Sequence, residues 1–390
     1  MKKTLLIAAL AFAALVSCSK DQVVQLNQDE IKYSVVAENA TKAAEIFCAY
    51  NYMDGFTVYA DYKVSGGGPI LYINGDEMNV SDAGVVSYKN GTPTRYWPTV
   101  DANNTMDFYA IANGPDGSNG TFNKTTSGAP TITGYIVNGT VGEQVDMLYA
   151  VNAGVNNNGS VALNFRHALS LIEFRAKNEN ENIKVTVTGV KVGGVKSVGT
   201  FTYPLASTSS QNTEHTDNTA DAELNAGTWS GQATVAEYEV AFTDVELTLN
   251  DVKPLTYKES HNQKPSTNYT SYFANSMILL PQELDSPWDK NNANLGTASN
   301  GAYLAVECTI CNNDASSTQL HTGYAYMPLG DALNPPTWKP GKKYVYTFVF
   351  GDGNGGYTDQ GQPVLSDISY TVTVDDFDAF AGGNSDVEME

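Results

Sequence analysis

Two cysteines three residues apart, four histidines and one glycine-rich hexapeptide are the residues of this sequence whose types and spacing suggest chemistry. Cys308-Thr-Ile-Cys311 has the spacing of half a metal site, but no second cysteine or histidine pair stands nearby to complete four ligands. The run from Tyr303 to Cys311 reads as a strand, on which residues three apart face opposite sides. Neither a local disulfide nor a metal clip is expected, and Cys48, Cys308 and Cys311 are read as buried apolar thiols. None of His167, His215, His261 and His321 has an i, i+4 partner, and none lies in a recognisable nucleophile motif. His167 sits between apolar residues and reads as a core histidine; His215 and His261 fall in polar loops. Gly351-Asp-Gly-Asn-Gly-Gly356 matches G-x-G-x-x-G, but a dinucleotide cradle needs a strand before it and a helix after it. The following Tyr357-Thr-Asp-Gln-Gly-Gln-Pro363 is no helix start, so a hairpin loop is expected. Asp352, Asn354 and Asp359 suggest calcium, yet the bidentate glutamate of a calcium loop is missing. The carboxylates are scattered, and no glycosidase pair stands out. The sequence therefore assigns no catalytic residue, no metal site and no cofactor, and it is not read as an enzyme.

Charge and composition narrow the class. Twenty-two Lys and Arg against 43 Asp and Glu give a net charge of −21 in 390 residues. Phosphate binding needs clustered cations, so nucleic acid is an unsuitable partner. Only Arg95, Arg166 and Arg175 offer the planar fork that clamps phosphate. With 42% hydrophobic and 17% charged residues, the chain is globular rather than an acidic disordered one. The 34 glycines and 23 tyrosines favour strands and turns over helices.

The first eighteen residues read as an address. Met1-Lys2-Lys3 is a basic start, and Thr4 to Val16 is an apolar run, too short for a membrane span of about 20 residues. Leu15-Val16-Ser17-Cys18 resembles a bacterial lipobox, in which the Cys18 thiol takes a diacylglycerol and becomes the new N-terminus; the alternative is an ordinary signal peptide with an incidental cysteine. Ser19-Lys20-Asp21 is similar to the short polar stretch that follows the cysteine in surface lipoproteins of the Bacteroidota. Each buried acyl CH₂ contributes about 0.8 kcal/mol, so several chains together hold stably.

The body alternates. Phe56, Val58, Ala60 and Tyr62 share one face of a strand, with Asp61 on the other. Ile183, Val185 and Val187 oppose Lys184, Thr186 and Thr188. The same period of two runs through Tyr238–Phe242, Val245–Leu249, Tyr344–Phe350 and Ile368–Val374. It indicates half-buried antiparallel strands. Asn74-Gly75, Asn90-Gly91, Asn138-Gly139, Asn158-Gly159 and Gly193-Gly194 are turn signals. The best helix candidate, Arg166 to Arg175, is short enough to be a strand with a bulge. Lys177-Asn-Glu-Asn-Glu-Asn182 is a polar break and sets the expected junction near residue 178. The organisation expected is 1–18 signal peptide, 19–42 pro-segment, 43–178 N-terminal domain and 179–390 C-terminal domain.

Several pieces in order resemble the Bacteroidota fimbrillins, the Mfa-like subunits of type V pili. They are the lipobox at Cys18, Phe165-Arg-His-Ala-Leu-Ser-Leu-Ile-Glu-Phe174, Gly199-Thr-Phe201, Ile278-Leu-Leu-Pro-Gln282, and Trp338-Lys-Pro-Gly-Lys-Lys-Tyr-Val-Tyr-Thr-Phe348 with a closing strand to Val374-Asp-Asp-Phe377. The resemblance implies an all-β fold of two tandem transthyretin-like antiparallel β-sandwich domains. It also implies export as an outer-membrane lipoprotein, removal of an N-terminal segment by a trypsin-like protease, and polymerisation with other pilus subunits by strand exchange on the cell surface.

A sandwich lacking one strand leaves unpaired N–H and C=O groups that a donor strand fills. Ile31-Lys-Tyr-Ser-Val35 is the candidate: Ile31, Tyr33 and Val35 face one way, Lys32 and Ser34 the other. It is either a detachable self-complementing strand or a permanent first strand of the N-terminal domain. The family's usual cut follows arginine in a Thr-Arg-Ala context, whereas this chain has Thr41-Lys42-Ala43 and no arginine before Arg95. A lysine-tolerant protease could cut between Lys42 and Ala43; one reading the planar guanidinium could not. The expected function is a structural and adhesive pilus subunit. The alternatives are a non-polymerising surface lipoprotein that binds glycan or peptide, and an undetected hydrolase.

Overall fold

The computed structural model describes residues 26–35, 53, 55–81, 84–98, 103–124, 128–156, 159–207, 226–256, 276–284, 286–291, 301–330 and 337–376. In chain order they form β1 (Leu26–Glu30), β2 (Tyr33–Val35), β3 (Gly55–Lys63), β4 (Pro69–Val80), β5 (Val86–Tyr88), β6 (Tyr96–Pro98), β7 (Thr105–Ala112), β8 (Thr121–Asn123), β9 (Thr131–Ile136), β10 (Leu148–Val155) and β11 (Val161–Leu163). There follow β12 (Arg166–His167), β13 (Ser170–Asn178), β14 (Ile183–Thr202), β15 (Thr228–Glu246), β16 (Lys253–Pro254), β17 (Met277–Leu279), β18 (Tyr303–Asn312), β19 (Gln319–Pro328), β20 (Lys342–Tyr357) and β21 (Pro363–Asp376). Among the described residues the helical element is one 3-10 turn, Val141–Glu143. The fold is all-β, as the alternating sequence requires.

The alternation in β3 builds the first core. Phe56, Val58, Ala60 and Tyr62 are buried on one face, against Ile73 of β4 and Phe108 of β7. The sheet runs β12-β10-β7-β3-β4-β5, and short ladders β6·β1 and β2·β11 cover its apolar face. Fully burying one such side chain contributes about 1.5–3 kcal/mol. Asp61 lies on the opposite face, as its place in the alternation predicts. It is nevertheless 3% exposed, because the second sandwich covers that face.

The larger sheet has the order β16-β13-β20-β19-β18-β14-β9-β8, with β15, β17 and β21 branching from β14, β13 and β20. Strands β19 and β20 pair only at Tyr326 and Tyr357. The sheet is nearly parted there, and the two parts close on one core that holds Leu171, Phe174, Val190, Leu304 and Phe348. Among the described strands the pairings are antiparallel except β13·β20 and β2·β11, which are parallel. These two depart from a wholly antiparallel sandwich: the partners are far apart in sequence, so no hairpin dictates their direction.

Local details follow from the packing, and at Arg166–Arg175 the strand reading holds. Arg166–Arg175 is extended, split into β12 and β13, because Ile172 and Phe174 alternate into a core rather than line a helix face. The core changes between Phe165, packed in the first sandwich, and Ala168, packed in the second. Strand β13 thus sits in the larger sheet. Asn74-Gly75 and Gly193-Gly194 lie inside β4 and β14, where they make bulges rather than chain reversals. A Cβ on Gly194 would stand 1.9 Å from the Gly301 carbonyl oxygen. The glycine hexapeptide is likewise inside β20: Phe350 and Gly355 both oppose Ile368, and the reversal comes later, around Thr358–Gln362.

Candidate functional site

The segment 26–35 is the central strand of a narrow layer. On one side β1 runs antiparallel to β6, with Leu26 opposite Pro98 and Glu30 opposite Tyr96. On the other side β2 runs parallel to β11, with Tyr33, Ser34 and Val35 opposite Val161, Ala162 and Leu163. The residues between the two ladders are also bonded. The Ile31 N–H donates to the Arg95 carbonyl at 2.8 Å, and the Val161 N–H donates to the Lys32 carbonyl at 2.8 Å. The segment thus fills a slot between two short strands, using backbone groups on both edges.

Side chains seat it by alternation. Ile31 is 0% exposed, Tyr33 7%, and Val35 is half-buried, while Lys32 and Ser34 face solvent. The Tyr33 ring meets Phe56, Tyr88 and Phe108 edge-on, at centroid distances of 6.4, 6.2 and 6.1 Å. Such contacts contribute about 0.5–1.5 kcal/mol beyond area burial. The Tyr88 hydroxyl donates to the Ile31 carbonyl at 2.8 Å. Burial pushes the Tyr88 phenol up to about 12 and raises the Tyr33 phenol well above its ordinary value.

The walls of the slot have anchors of their own. Arg95 holds Asp76 of β4 with both prongs, Nε to Oδ2 at 2.6 Å and Nη2 to Oδ1 at 2.8 Å. The Tyr72 hydroxyl donates to the Tyr96 carbonyl at 2.6 Å. On the opposite wall the Asn152 amide donates to the Ala162 carbonyl at 2.8 Å. Neither wall depends on residues 26–35 alone for its position. Sequence reasoning missed both walls, because Tyr96-Trp-Pro98 and Val161-Ala-Leu163 are too short to show a period. One of only three arginines, at position 95, was the available signal.

The remaining sequence candidates are not gathered at this slot. Cys18, Lys42, Ala43, Cys48, His215 and His261 lie outside the described residues. Cys308 is buried, and burial, with Glu307 beside it, pushes its thiol up to about 12. Cys311 is half-exposed, which corrects the expectation of a buried thiol there; near its end β18 is no longer fully covered. Both thiols are free. His167 Nδ1 lies 2.5 Å from Asp146 Oδ2, a partner that accounts for its burial. Among the described residues, no group of three or more His, Cys, Asp and Glu side chains is placed to hold a metal ion.

The fimbrillin-like sequence profile matches residues 41–376. The chain belongs to the fimbrillin-like family. Among solved structures, this fimbrillin-like chain is similar to a fimbrial protein from Bacteroides vulgatus, with a TM-score of 0.56 and 14% identity over 90% of this chain and 99% of that one. It also aligns with the tip fimbrial protein Mfa3 from Porphyromonas gingivalis with C-terminal truncation, at a TM-score of 0.34 and 9% identity, covering 89% of this chain and 98% of that one. No curated protein sequence matches it significantly. The first likeness supports the fold, and the profile match begins at Thr41, beyond the slot-filling segment.

Proposed function

We propose that this chain is a structural subunit of a cell-surface pilus, and that residues 26–35 are a removable plug for the slot a neighbouring subunit's strand later fills. The observation that carries this reading is the position of Ile31 and Tyr33. They close the first core from a segment that belongs to neither wall and leads through residues 36–42 to the candidate cut between Lys42 and Ala43. Removing the plug would uncover Phe56, Trp97 and Phe108 and leave backbone groups of β6 and β11 unpaired. That exposure supplies the free energy for capturing another strand. The family membership and the start of the profile match at Thr41 support the same reading. In this proposal Cys18 carries the lipid that delivers the unprocessed chain to the outer membrane. A cut at Lys42 frees the subunit from that lipid, while an uncut chain remains as an anchor. The function requires backbone pairing and no catalysis.

The experiment is trypsin treatment of the full-length chain, followed by mass spectrometry of the new N-terminus and gel analysis without boiling. A product beginning at Ala43, accompanied by SDS-resistant ladders, is the expected result. A product beginning at Ala43 that stays monomeric at high concentration refutes assembly by strand exchange.

A further inference from the structure

Away from the slot, on the covered face of the first sheet, a lysine and an aspartate are held in contact. Lys124 Nζ stands 2.5 Å from Asp61 Oδ2, and the two side chains are 2% and 4% exposed. Asp61 is on β3, between β4 and β7 in the middle of its sheet, so its carboxyl has little freedom. Lys124 follows β8, whose partner β9 belongs to the larger sheet. The Tyr109 ring lies 5.2 Å from the ammonium. The other carboxyl oxygen, Asp61 Oδ1, is buried with no hydrogen-bond partner. A buried ion pair with an unsatisfied oxygen is a costly arrangement, because desolvation of both charges is only partly offset.

We propose that Lys124 and Asp61 condense into an intramolecular isopeptide bond that ties the two sandwiches together. A proton passes from the ammonium to the carboxylate, leaving an amine and a neutral acid. The amine nitrogen attacks Cγ of Asp61, the N–C bond forms, the C–O bond breaks, and one water leaves. Atoms and charge balance as ammonium plus carboxylate giving amide plus water, and no oxidant or cofactor is required. The environment eases protonation of the acid that reacts. Burial raises the Asp61 carboxyl above its ordinary range against the pull of Lys124, and the charge of Asp107 adds to the rise. Asp107 stands directly opposite Asp61 in the β3·β7 register and is itself held by Lys63 and by the Gly154 N–H at 2.8 Å. Contact geometry of this kind raises the effective concentration of amine at the carboxyl far above that of free reactants. The product exchanges two buried charges for one amide.

The bond would close a loop between positions 63 residues apart, and it would join β3 of the first sandwich to the β8–β9 hairpin of the second. It is independent of strand exchange at the slot.

The test is the intact mass of the purified full-length chain under denaturing conditions, followed by peptide mapping. The expected mass is 18 Da below that of the same chain unmodified, with a branched peptide joining the segments that contain Asp61 and Lys124. Lys124→Arg and Asp61→Ala restore the missing 18 Da, and Asp61→Asn shows a loss of 17 Da, because ammonia then leaves instead of water. Denatured mass reads every variant whether or not it folds well. An unshifted wild-type mass with separate linear peptides overturns the proposal. So does an 18 Da loss mapped to a single Asp-Gly pair, such as Asp116-Gly117, where a cyclic imide would account for it.

Discussion

Replacing Ile31 with alanine measures how firmly the plug is seated. Ile31 is 0% exposed, its N–H is bonded to Arg95, and its carbonyl accepts from Tyr88. The substitution leaves those backbone bonds in place and removes only buried methyl and methylene groups. Such truncations cost about 2–5 kcal/mol, including the cavity left behind. At about 1.4 kcal/mol per factor of ten, that predicts a rise in release of the plug of roughly thirtyfold to a few thousandfold. The assay uses a chain nicked between residues 36 and 42, so that 26–35 is held by contacts alone, and follows its dissociation on dilution. Ser34→Ala is the control, since Ser34 faces solvent in the same strand. Equal release by the two variants would refute the claim that burial of the alternate side chains holds the segment.

Four further outcomes follow from the same geometry. Arg95→Ala leaves the Asp76 carboxylate, 5% exposed, without its two-pronged partner; it is expected to cost about 2 kcal/mol in chemical denaturation and to speed release of the plug, and an unchanged stability would contradict the anchoring role. Tyr33 is buried and Tyr88 half-buried, both as neutral phenols with raised values, so their contribution is complete below pH 10 and is lost as pH climbs through about 12; retention of the plug on gel filtration should fall over that window, and Tyr33→Phe should move the fall upward. In the native chain Cys311 should react with iodoacetamide well before Cys308, whose thiol is buried and pushed up to about 12, as read by mass mapping. Gly194→Ala combines a φ of +72° with a near-collision on Gly301 and should lower Tm by several degrees, the equivalent of about 1–3 kcal/mol.

Period-two alternation was sufficient to place β3, β14, β15, β20 and β21, because each has one face on a core and side chains that record it. Glycine pairs were less informative. The same Asn-Gly or Gly-Gly chemistry that closes a turn also permits a bulge inside a long strand, and only the partner strand distinguishes Gly194 from Gly91. The polar run at 177–182 looks like a linker, yet it connects β13 to β14 within one sandwich, because solvent-facing connections are polar wherever they occur. Ile31, Tyr33 and Val35 were legible as one face of a strand. The slot around them was not, since β6 and β11 are three residues each and come from distant parts of the chain. The Lys124–Asp61 contact was equally hidden: the alternation placed Asp61 opposite the apolar face, and nothing in it showed that a second sheet covers that side.

Uptake of a strand into the emptied slot tests the account most directly. A chain nicked between residues 36 and 42 is stripped of its plug in mild denaturant and returned to buffer with a labelled peptide of sequence 26–35. The account predicts stoichiometric incorporation of the peptide, recovery of the stability of the intact chain, and no incorporation of the same peptide carrying Ile31→Asp. A stripped chain that regains full stability alone and takes up no peptide would contradict it.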